Sequence, residues 1–452
     1  MIDTHCHLEM SHYNRDREEV IQRALEAGLE AMITIGSDFK GCKGAVKLAS
    51  EYDFIHAAVG IHPHDSKDFT DEMFSTIKEW SRLDKVVAIG EIGLDYHYDH
   101  SPRDVQKDVF MKQLSFAVES AMPVVIHTRE ATEDTMAILR QSGISKGVMH
   151  CFSGDIDMAK KMMDMGLFIS FAGPVTFSKA ATLKEVARYV PDEFLLLETD
   201  APFLAPEPLR GKRNEPAYIV NTAKVVADLR GVTYEDIKRI TTLNAKRLFG
   251  IGSLFEHEIV YKIRDSLYLN ITNRCTSRCT FCAKFSTDYY VKGHHLKLES
   301  EPSEQEMRSA IGDPAKYKEI VFCGYGEPLV RLDLVKSLSA WIKSQGGRVR
   351  INTNGHGNAI HKRDILPDLK GLVDSISISL NAQDAETYNR ICKPAFKDAY
   401  NAVIDFIKEA KKHIPEVQVT IVTAEGVDIK KCEEIAAELG VKLRVRKLDE
   451  VG

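Results

Sequence analysis

No stretch of this chain approaches the ~18 uncharged apolar residues of a membrane span, and its opening, MIDTHCHLEM, holds no apolar signal region. Both absences argue against a secreted or membrane-spanning protein and favour a cytoplasmic one. A basic excess is also missing. Residues 1–252 carry 30 Lys+Arg against 38 Asp+Glu, residues 253–452 carry 30 against 28, and the whole chain has a net charge of −6. Proteins that hold nucleic acid mainly by neutralising phosphates are far more basic, so any grip on such a substrate must be local. Low-complexity tracts and short repeats are absent too, which sets repeat architectures aside. A disulfide framework is not expected, because the nine cysteines are odd in number and six of them are scattered. The other three, Cys275, Cys279 and Cys282, lie within eight residues, and clustered thiols in a reduced compartment usually hold metal.

What is present is ordinary globular material. With 452 residues, 44% hydrophobic and 28% charged, the chain accommodates two to four domains or two large barrels. Over the first 250 residues, short apolar runs at 1–5, 31–35, 55–60, 86–91, 124–127, 147–150, 167–170 and 194–198 alternate with amphipathic stretches such as 15–27, 71–83 and 105–121. Eight strand–helix units in this length predict a closed (β/α)8 barrel of TIM type. The pattern changes near residue 252 and restarts at 266, with strands at 266–271, 319–323, 348–352, 375–380, 417–422 and 442–445. Six units fit a partial (β/α)6 barrel. The expected domains are therefore 1–252 and 266–452, with 253–265 as a linker, in an α/β protein throughout.

Metal-type ligands gather at the strand ends of the first half. His5 and His7 alternate in the opening strand, so both imidazoles can face one way. Glu91, His127, His150 and Asp200 stand at or just after the carboxyl ends of later strands, the end at which such barrels place their active sites. A single buried histidine is more often a core residue than a ligand. Ligand-type residues terminating five separate strands are hard to obtain by chance, even with ten of the sixteen histidines in this half. Two carboxylates and four histidines suit one or two divalent ions, and two are favoured because Glu91 can bridge. Such ions acidify a water and steady charge on the attacked and leaving oxygens. Asp200 is the candidate general base, with a purely ligating role as the alternative.

These residues sit inside motifs: DTHCHL from Asp3, GIHPH from Gly60, GEIGLDY from Gly90, HTR from His127, HCFSG from His150, ETDAP from Glu198 and RGKRNEP from Arg210. The set, in this order, resembles the TatD family of metal-dependent hydrolases across nearly all of residues 1–252. The resemblance implies an amidohydrolase-like barrel that hydrolyses phosphodiesters, typically as a DNase of 3′→5′ exonuclease type. It implies two ions (Mg, Mn or Zn), one held by His5, His7, Glu91 and Asp200 and the other by Glu91, His127 and His150. His62 and His64 resemble the family's substrate-side histidines, with support of the ligands as the alternative. Arg129 is a candidate phosphate anchor, since guanidinium matches phosphate geometry, against a structural ion pair. DNA ends are one substrate. Aminoacyl-tRNA, whose ester the same chemistry can hydrolyse, is another, and the acidic half favours short or single-stranded ends.

The second half opens with Cys275-Thr-Ser-Arg-Cys279-Thr-Phe-Cys282, a CX3CX2C spacing directly after a strand. Three close thiolates can ligate three irons of a [4Fe–4S] cluster and leave the fourth open. Zinc is the rival, but zinc normally takes four protein ligands in paired CxxC spacing, and only Cys323 could complete it. The half resembles the radical SAM superfamily, and specifically members encoded with or fused to TatD hydrolases. GYGEP, with Gly324, Gly326 and Glu327, resembles the glycine-rich element that receives the methionine end of S-adenosylmethionine, although Tyr325 interrupts the first glycine pair. Asn354 and Ser379 end later strands where the superfamily holds ribose and carboxylate. The resemblance implies reductive cleavage of S-adenosylmethionine to a 5′-deoxyadenosyl radical, fed by an electron donor such as flavodoxin or ferredoxin. Tyr289, Tyr290, His294 and His295 fit either a substrate path or a surface loop, and Cys392 and Cys432 are read as structural. The expected protein is a bifunctional fusion, with a hydrolase regulated by a redox-sensing cluster as the alternative.

Overall fold

The computed structural model describes residues 1–252, 257–285 and 287–447, and divides into two compact units, Met1–Leu254 and Phe255–Gly452. In the first unit eight parallel strands follow one another in chain order: β1 (Ile2–Cys6), β2 (Ala31–Gly36), β3 (Ile55–Val59), β4 (Val86–Asp95), β5 (Val124–Arg129), β6 (Gly147–Met149), β7 (Leu167–Phe171) and β8 (Leu195–Leu197). Parallel neighbours need a crossover between them, and helices such as Phe39–Glu51 and Arg103–Glu119 supply it. The outer faces of the strands pack against these helices in one large core containing Met32, Ile89, Ile126 and Leu197. The inner faces, including Ile33, Val125 and Leu196, form a second cluster with Leu248 and Phe249 of the final helix Tyr234–Phe249.

The barrel closes where β8 returns to β1. Thr4 Oγ1 donates to the Leu197 carbonyl (2.9 Å), Asp200 N to His5 O (2.9 Å) and His7 N to Ala201 O (2.7 Å). Asp3, fully buried, accepts from Thr199 N (3.0 Å) and Thr199 Oγ1 (2.6 Å), which pins the first strand to the loop carrying Asp200. The RGKRNEP segment clamps that loop from outside. Asn214 Nδ2 donates to the Thr199 and Phe203 carbonyls, and Arg213 holds Asp16 and Glu215.

In the second unit six parallel strands form a sheet: β10 (Ser266–Leu269), β13 (Glu319–Phe322), β14 (Val349–Thr353), β15 (Ser375–Ser379), β16 (Glu416–Val422) and β17 (Lys442–Arg446). Side chains alternate across it. Leu267, Phe322, Ile351, Ile378 and Ile421 face the helix-covered core, whereas Tyr268, Asn352, Ser377 and Thr420 line an open cavity.

Two segments differ from the expectation. The stretch 253–265 is not only a linker: β9 (Val260–Ile263) lies within it and pairs antiparallel to β10, adding a seventh strand at the sheet edge. Residues 253–256 lie outside the described residues. Only four residues alternate there, with Tyr261 and Ile263 buried and Lys262 exposed, too short a run for periodicity to assign. The loop after the cysteines folds as a small hairpin of β11 (Tyr290–Val291) and β12 (His294–His295). Tyr290 and His294 are buried in it, and His294 Nδ1 pairs with Glu258 (2.8 Å).

Candidate metal centre and cofactor cavity

Strand irregularities aim the candidate ligands of the first unit. Between Ile89 and Ile92, β4 carries one more residue than β5 does between Val124 and Ile126, and Glu91 lies in that bulge. β1 has a matching irregularity between Asp3 and Cys6, around His5. Bulges beside active sites turn a side chain off the regular alternation. Close approach of β4 to β5 also requires Gly93. With φ +148, a Cβ there would stand 1.9 Å from the His127 carbonyl oxygen.

Glu91 sits at the centre of four histidines and divides its two oxygens between them. Oε2 lies 3.6 Å from His5 Nε2 and 4.0 Å from His7 Nε2, and Oε1 lies 2.8 Å from His150 Nε2 and 3.0 Å from His127 Nδ1. Asp200 Oδ1 completes the first group, 3.7 Å from His5 Nε2 and 3.5 Å from His7 Nε2. Asp200 has φ 55, a conformation uncommon outside glycine and tolerated by Asp. Burial opposes ionisation of Glu91, but the surrounding His150, His62 and His127 hold its carboxyl well below the usual range. Burial and the neighbouring His150 drive His5 toward its neutral, ligating form.

The rings are locked from behind. His7 Nδ1 meets the Ile35 carbonyl (2.8 Å), His127 Nε2 meets Asp95 Oδ2 (3.2 Å) and His150 Nδ1 meets Glu198 Oε1 (3.2 Å). In each case the nitrogen left over is the one facing Glu91, which is how ligating histidines are oriented. His7 Nε2, so freed, lies 3.2 Å from His5 Nε2, and the His5 ring stacks on His150 at 4.0 Å. Crowded imidazole lone pairs around a carboxylate are what a cation relieves, so the donor set fits one or two divalent ions.

All six expected ligands converge here. His62 comes closer than a substrate contact requires: its Nε2 is 3.5 Å from Glu91 Oε1, and it groups with Glu91 and His127 at ligand spacing. His64 turns away to Asp95 (3.0 Å). Arg129 is exposed at the rim, its guanidinium 4.8 Å above the Tyr98 ring. The carboxylates Asp95 and Glu198 escape the sequence reading. Glu198 stands two residues before Asp200 in ETDAP, and that spacing is its only signal. Replacing Glu198 by Ala removes the acceptor that fixes His150, so divalent-ion affinity should fall about 10–100-fold. Titration calorimetry of the chelated protein checks this, and an unchanged affinity would discard the orienting role.

The cysteine loop of the second unit is strapped to residues 391–395. Arg278 N donates to Cys392 O (3.0 Å), Thr280 N to Ile391 O (2.8 Å) and Ala395 N to Thr276 O (2.8 Å). Asn354 Nδ2 reaches Thr276 Oγ1 (2.9 Å) and lies 3.7 Å from Cys275 Sγ. Cys275, Cys279 and Cys282 line a cavity of about 250 Å³ together with Gly324, Gly326, Glu327, Asn354 and Ser379, so all the expected cluster and cofactor residues share one space. Burial pushes the Cys275 thiol up to about 11, and a hydrogen bond with Cys392 together with burial raises Cys279. Among the described residues, the groups with ligand atoms all within 4.8 Å of one another include the hydrolase histidines and none of these cysteines.

The glycines earn their positions by close approach. A Cβ at Gly326 would lie 2.2 Å from Thr272 O, and one at Gly324 would lie 2.3 Å from Asn270 Oδ1. Glu327 is buried and orients the loop after β14, accepting from Thr353 Oγ1 (2.8 Å) and Asn354 N (2.7 Å). Burial pushes its carboxyl up to about 7. Arg274 is occupied by Glu301 (2.7 Å) and is not a partner of the cysteines. Among the described residues no helix is long and apolar enough to cross a membrane.

Comparison with known proteins gives a family for each of the two units. A family model described as TatD-related DNase matches residues 2–250, and one described as the radical SAM superfamily matches residues 269–439. An uncharacterised metal-dependent hydrolase of Bacillus subtilis, YabD, is 49% identical over 254 residues, covering 56% of this chain and all of that protein. The Klebsiella pneumoniae protein named 3′-5′ ssDNA/RNA exonuclease TatD is 36% identical, covering 56% of this chain and 98% of its own. The crystal structure of the Escherichia coli TatD homologue YJJV superposes with a TM-score of 0.54 at 30% identity, covering 56% of this chain and 98% of that one. The chain belongs to the TatD-related DNase family of metal-dependent hydrolases and carries, after the hydrolase barrel in sequence, a radical SAM domain.

Proposed function

We propose that the hydrolase unit cleaves phosphodiester bonds at single-stranded nucleic-acid ends. The observation that carries this reading is the division of the Glu91 carboxylate, one oxygen toward His5 and His7 and the other toward His127 and His150. Two divalent ions at such a site would acidify a water and offset charge on the attacked and leaving oxygens. His5, His7 and Asp200 would hold one, His127 and His150 the other, and Glu91 both. Asp200, the ligand carboxylate with the more exposed side chain (13% against 6% for Glu91), accepts the proton of the attacking water. Arg129, at the rim, receives a non-bridging phosphate oxygen. The K. pneumoniae relative's name supports single strands and 3′→5′ polarity.

For the second unit the proposed cofactors are a [4Fe–4S] cluster on Cys275, Cys279 and Cys282, and S-adenosylmethionine along Gly324, Gly326, Glu327, Asn354 and Ser379. Together they supply one-electron cleavage chemistry, driven by a small electron carrier such as flavodoxin or ferredoxin. The chain's part is to wall the cavity and to hold Asn354 against the cysteine loop.

The test of the hydrolase reading uses protein stripped by a chelator and reloaded with Mg or Mn. A single-stranded oligonucleotide labelled at its 5′ end should shorten stepwise from the 3′ end, and the chelated protein should do nothing. Deacylation of aminoacyl-tRNA without nucleotide release would overturn the phosphodiester reading.

A further inference from the structure

Beside the metal centre, the loop Tyr96–Ser101 presents a flat aromatic surface that the proposed hydrolysis does not use. Tyr98 is 51% exposed and stacks with His100, ring centroids 5.5 Å apart and planes within 9°. The Arg129 guanidinium lies over the Tyr98 ring, and His64 meets both rings edge-on, at 5.4 Å and 4.7 Å. Exposing a large aromatic ring costs free energy unless something covers it, and parallel rings flanked by a guanidinium form a surface on which a planar heterocycle stacks.

This surface is fastened to the catalytic centre by one carboxylate. Asp95 Oδ2 meets His127 Nε2 (3.2 Å) and His64 Nε2 (3.0 Å). Its other oxygen, Oδ1, accepts from the backbone N–H groups of His97 (3.0 Å) and Tyr98 (2.9 Å). Gln106 supports the same turn, donating to the Asp95 and Ser101 carbonyls, and Ser101 Oγ donates to His64 O. A base on Tyr98 would therefore keep a fixed offset from a phosphate at Glu91. The acidic side chains of the loop do not repel that phosphate, because Asp99 is held by Arg103 (3.0 Å) and the adjoining Glu130 by His97 (2.7 Å).

We infer that Tyr98 and His100, backed by Arg129, are the stacking platform for the unpaired nucleobase next to the scissile phosphate. The inference rests on the phosphodiester reading above and adds its recognition element, a base rather than a phosphate contact. Stacking is blind to base identity, so the platform accepts any sequence and requires only that the terminal nucleotide be unpaired. That also accounts for how an acidic unit holds nucleic acid without a basic track.

The test uses the full chain loaded with Mn and two single-stranded oligonucleotides, one ending in a base at the cleaved end and one ending in an abasic residue. Wild-type protein should show a KM about ten-fold lower for the base-ended strand, the fold-change expected of one stacked base. Tyr98→Ala should give both strands the same KM, and Tyr98→Phe should restore the difference. Terminal 2-aminopurine, read in chelated protein so that no turnover occurs, should be quenched by wild type and by Tyr98→Phe but not by Tyr98→Ala. Tyr98 is exposed, so its replacement does not threaten folding. Hydrolysis with the base preference and the quenching intact in Tyr98→Ala overturns the platform alone. Wild-type protein that neither cleaves nor quenches either strand overturns the platform and the phosphodiester reading together.

Discussion

Glu91→Gln should abolish metal-dependent hydrolysis, with turnover down by about 10³-fold or more, because it removes the group shared by both halves of the site. An ion's stabilisation of transition-state charge is worth several kcal/mol, and each 1.36 kcal/mol is a factor of ten. The substitution is nearly isosteric, so Glu91, buried and enclosed by histidines, keeps its volume and loses its charge. Without that charge, four histidines and Asp200 remain for two cations, and the His127–His150 side has no carboxylate ligand left. Divalent-ion content should therefore fall along with turnover, while the melting profile of the chelated protein stays near wild type. Wild-type turnover in Glu91→Gln would remove the site from where it has been placed.

Cys279→Ala should have the second large effect and in the other unit only. Cys279 is the middle thiol of the CX3CX2C loop, held between the Arg278 and Thr280 hydrogen bonds to residues 391–392. Three thiolates are the minimum that leaves one iron open, so losing one should remove the cluster and with it the cleavage of S-adenosylmethionine. Iron content and 5′-deoxyadenosine release measure the two losses. Hydrolysis should stay near wild type, since every ligand of that site lies between His5 and Asp200. A parallel loss of hydrolysis would mean that the cluster regulates the barrel, which is the sensor alternative.

The barrel strands were legible because they open on apolar runs, as VVI before His127 and GVM before His150, although β4 and β5 continue past Glu91 and His127 to Asp95 and Arg129. The same feature pointed to the candidate ligands: a histidine or carboxylate that closes an apolar run is delivered toward the mouth of the barrel. Asp95 and Glu198 were not assigned because their role depends on which ring nitrogen they face, and that is a three-dimensional fact. Tyr98 was invisible for a related reason. It lies in a loop, and the hydrogen bond from its backbone N–H to Asp95 that ties it to the centre has no counterpart in the sequence pattern. In the second unit β14 to β17 have five residues or more and carry a clear period, and β10 and β13 lie directly before the cysteine and glycine motifs, whereas β9 stands apart from any motif and the β11–β12 hairpin has two residues per strand. Cys392 illustrates the limit. It looked like a packing residue and is buried as one, yet its carbonyl accepts from Arg278 N because residues 391–395 strap the cysteine loop.

The central claim is that one chain holds two separately loaded metal centres. The most direct test is elemental analysis of anaerobically reconstituted wild-type, Glu91→Gln and Cys279→Ala proteins. Wild type should carry about two divalent ions and about four irons per chain. Glu91→Gln should lose divalent ions and keep its iron, and Cys279→Ala should do the reverse. Either variant losing both kinds of metal, or iron persisting in Cys279→Ala, would contradict the account.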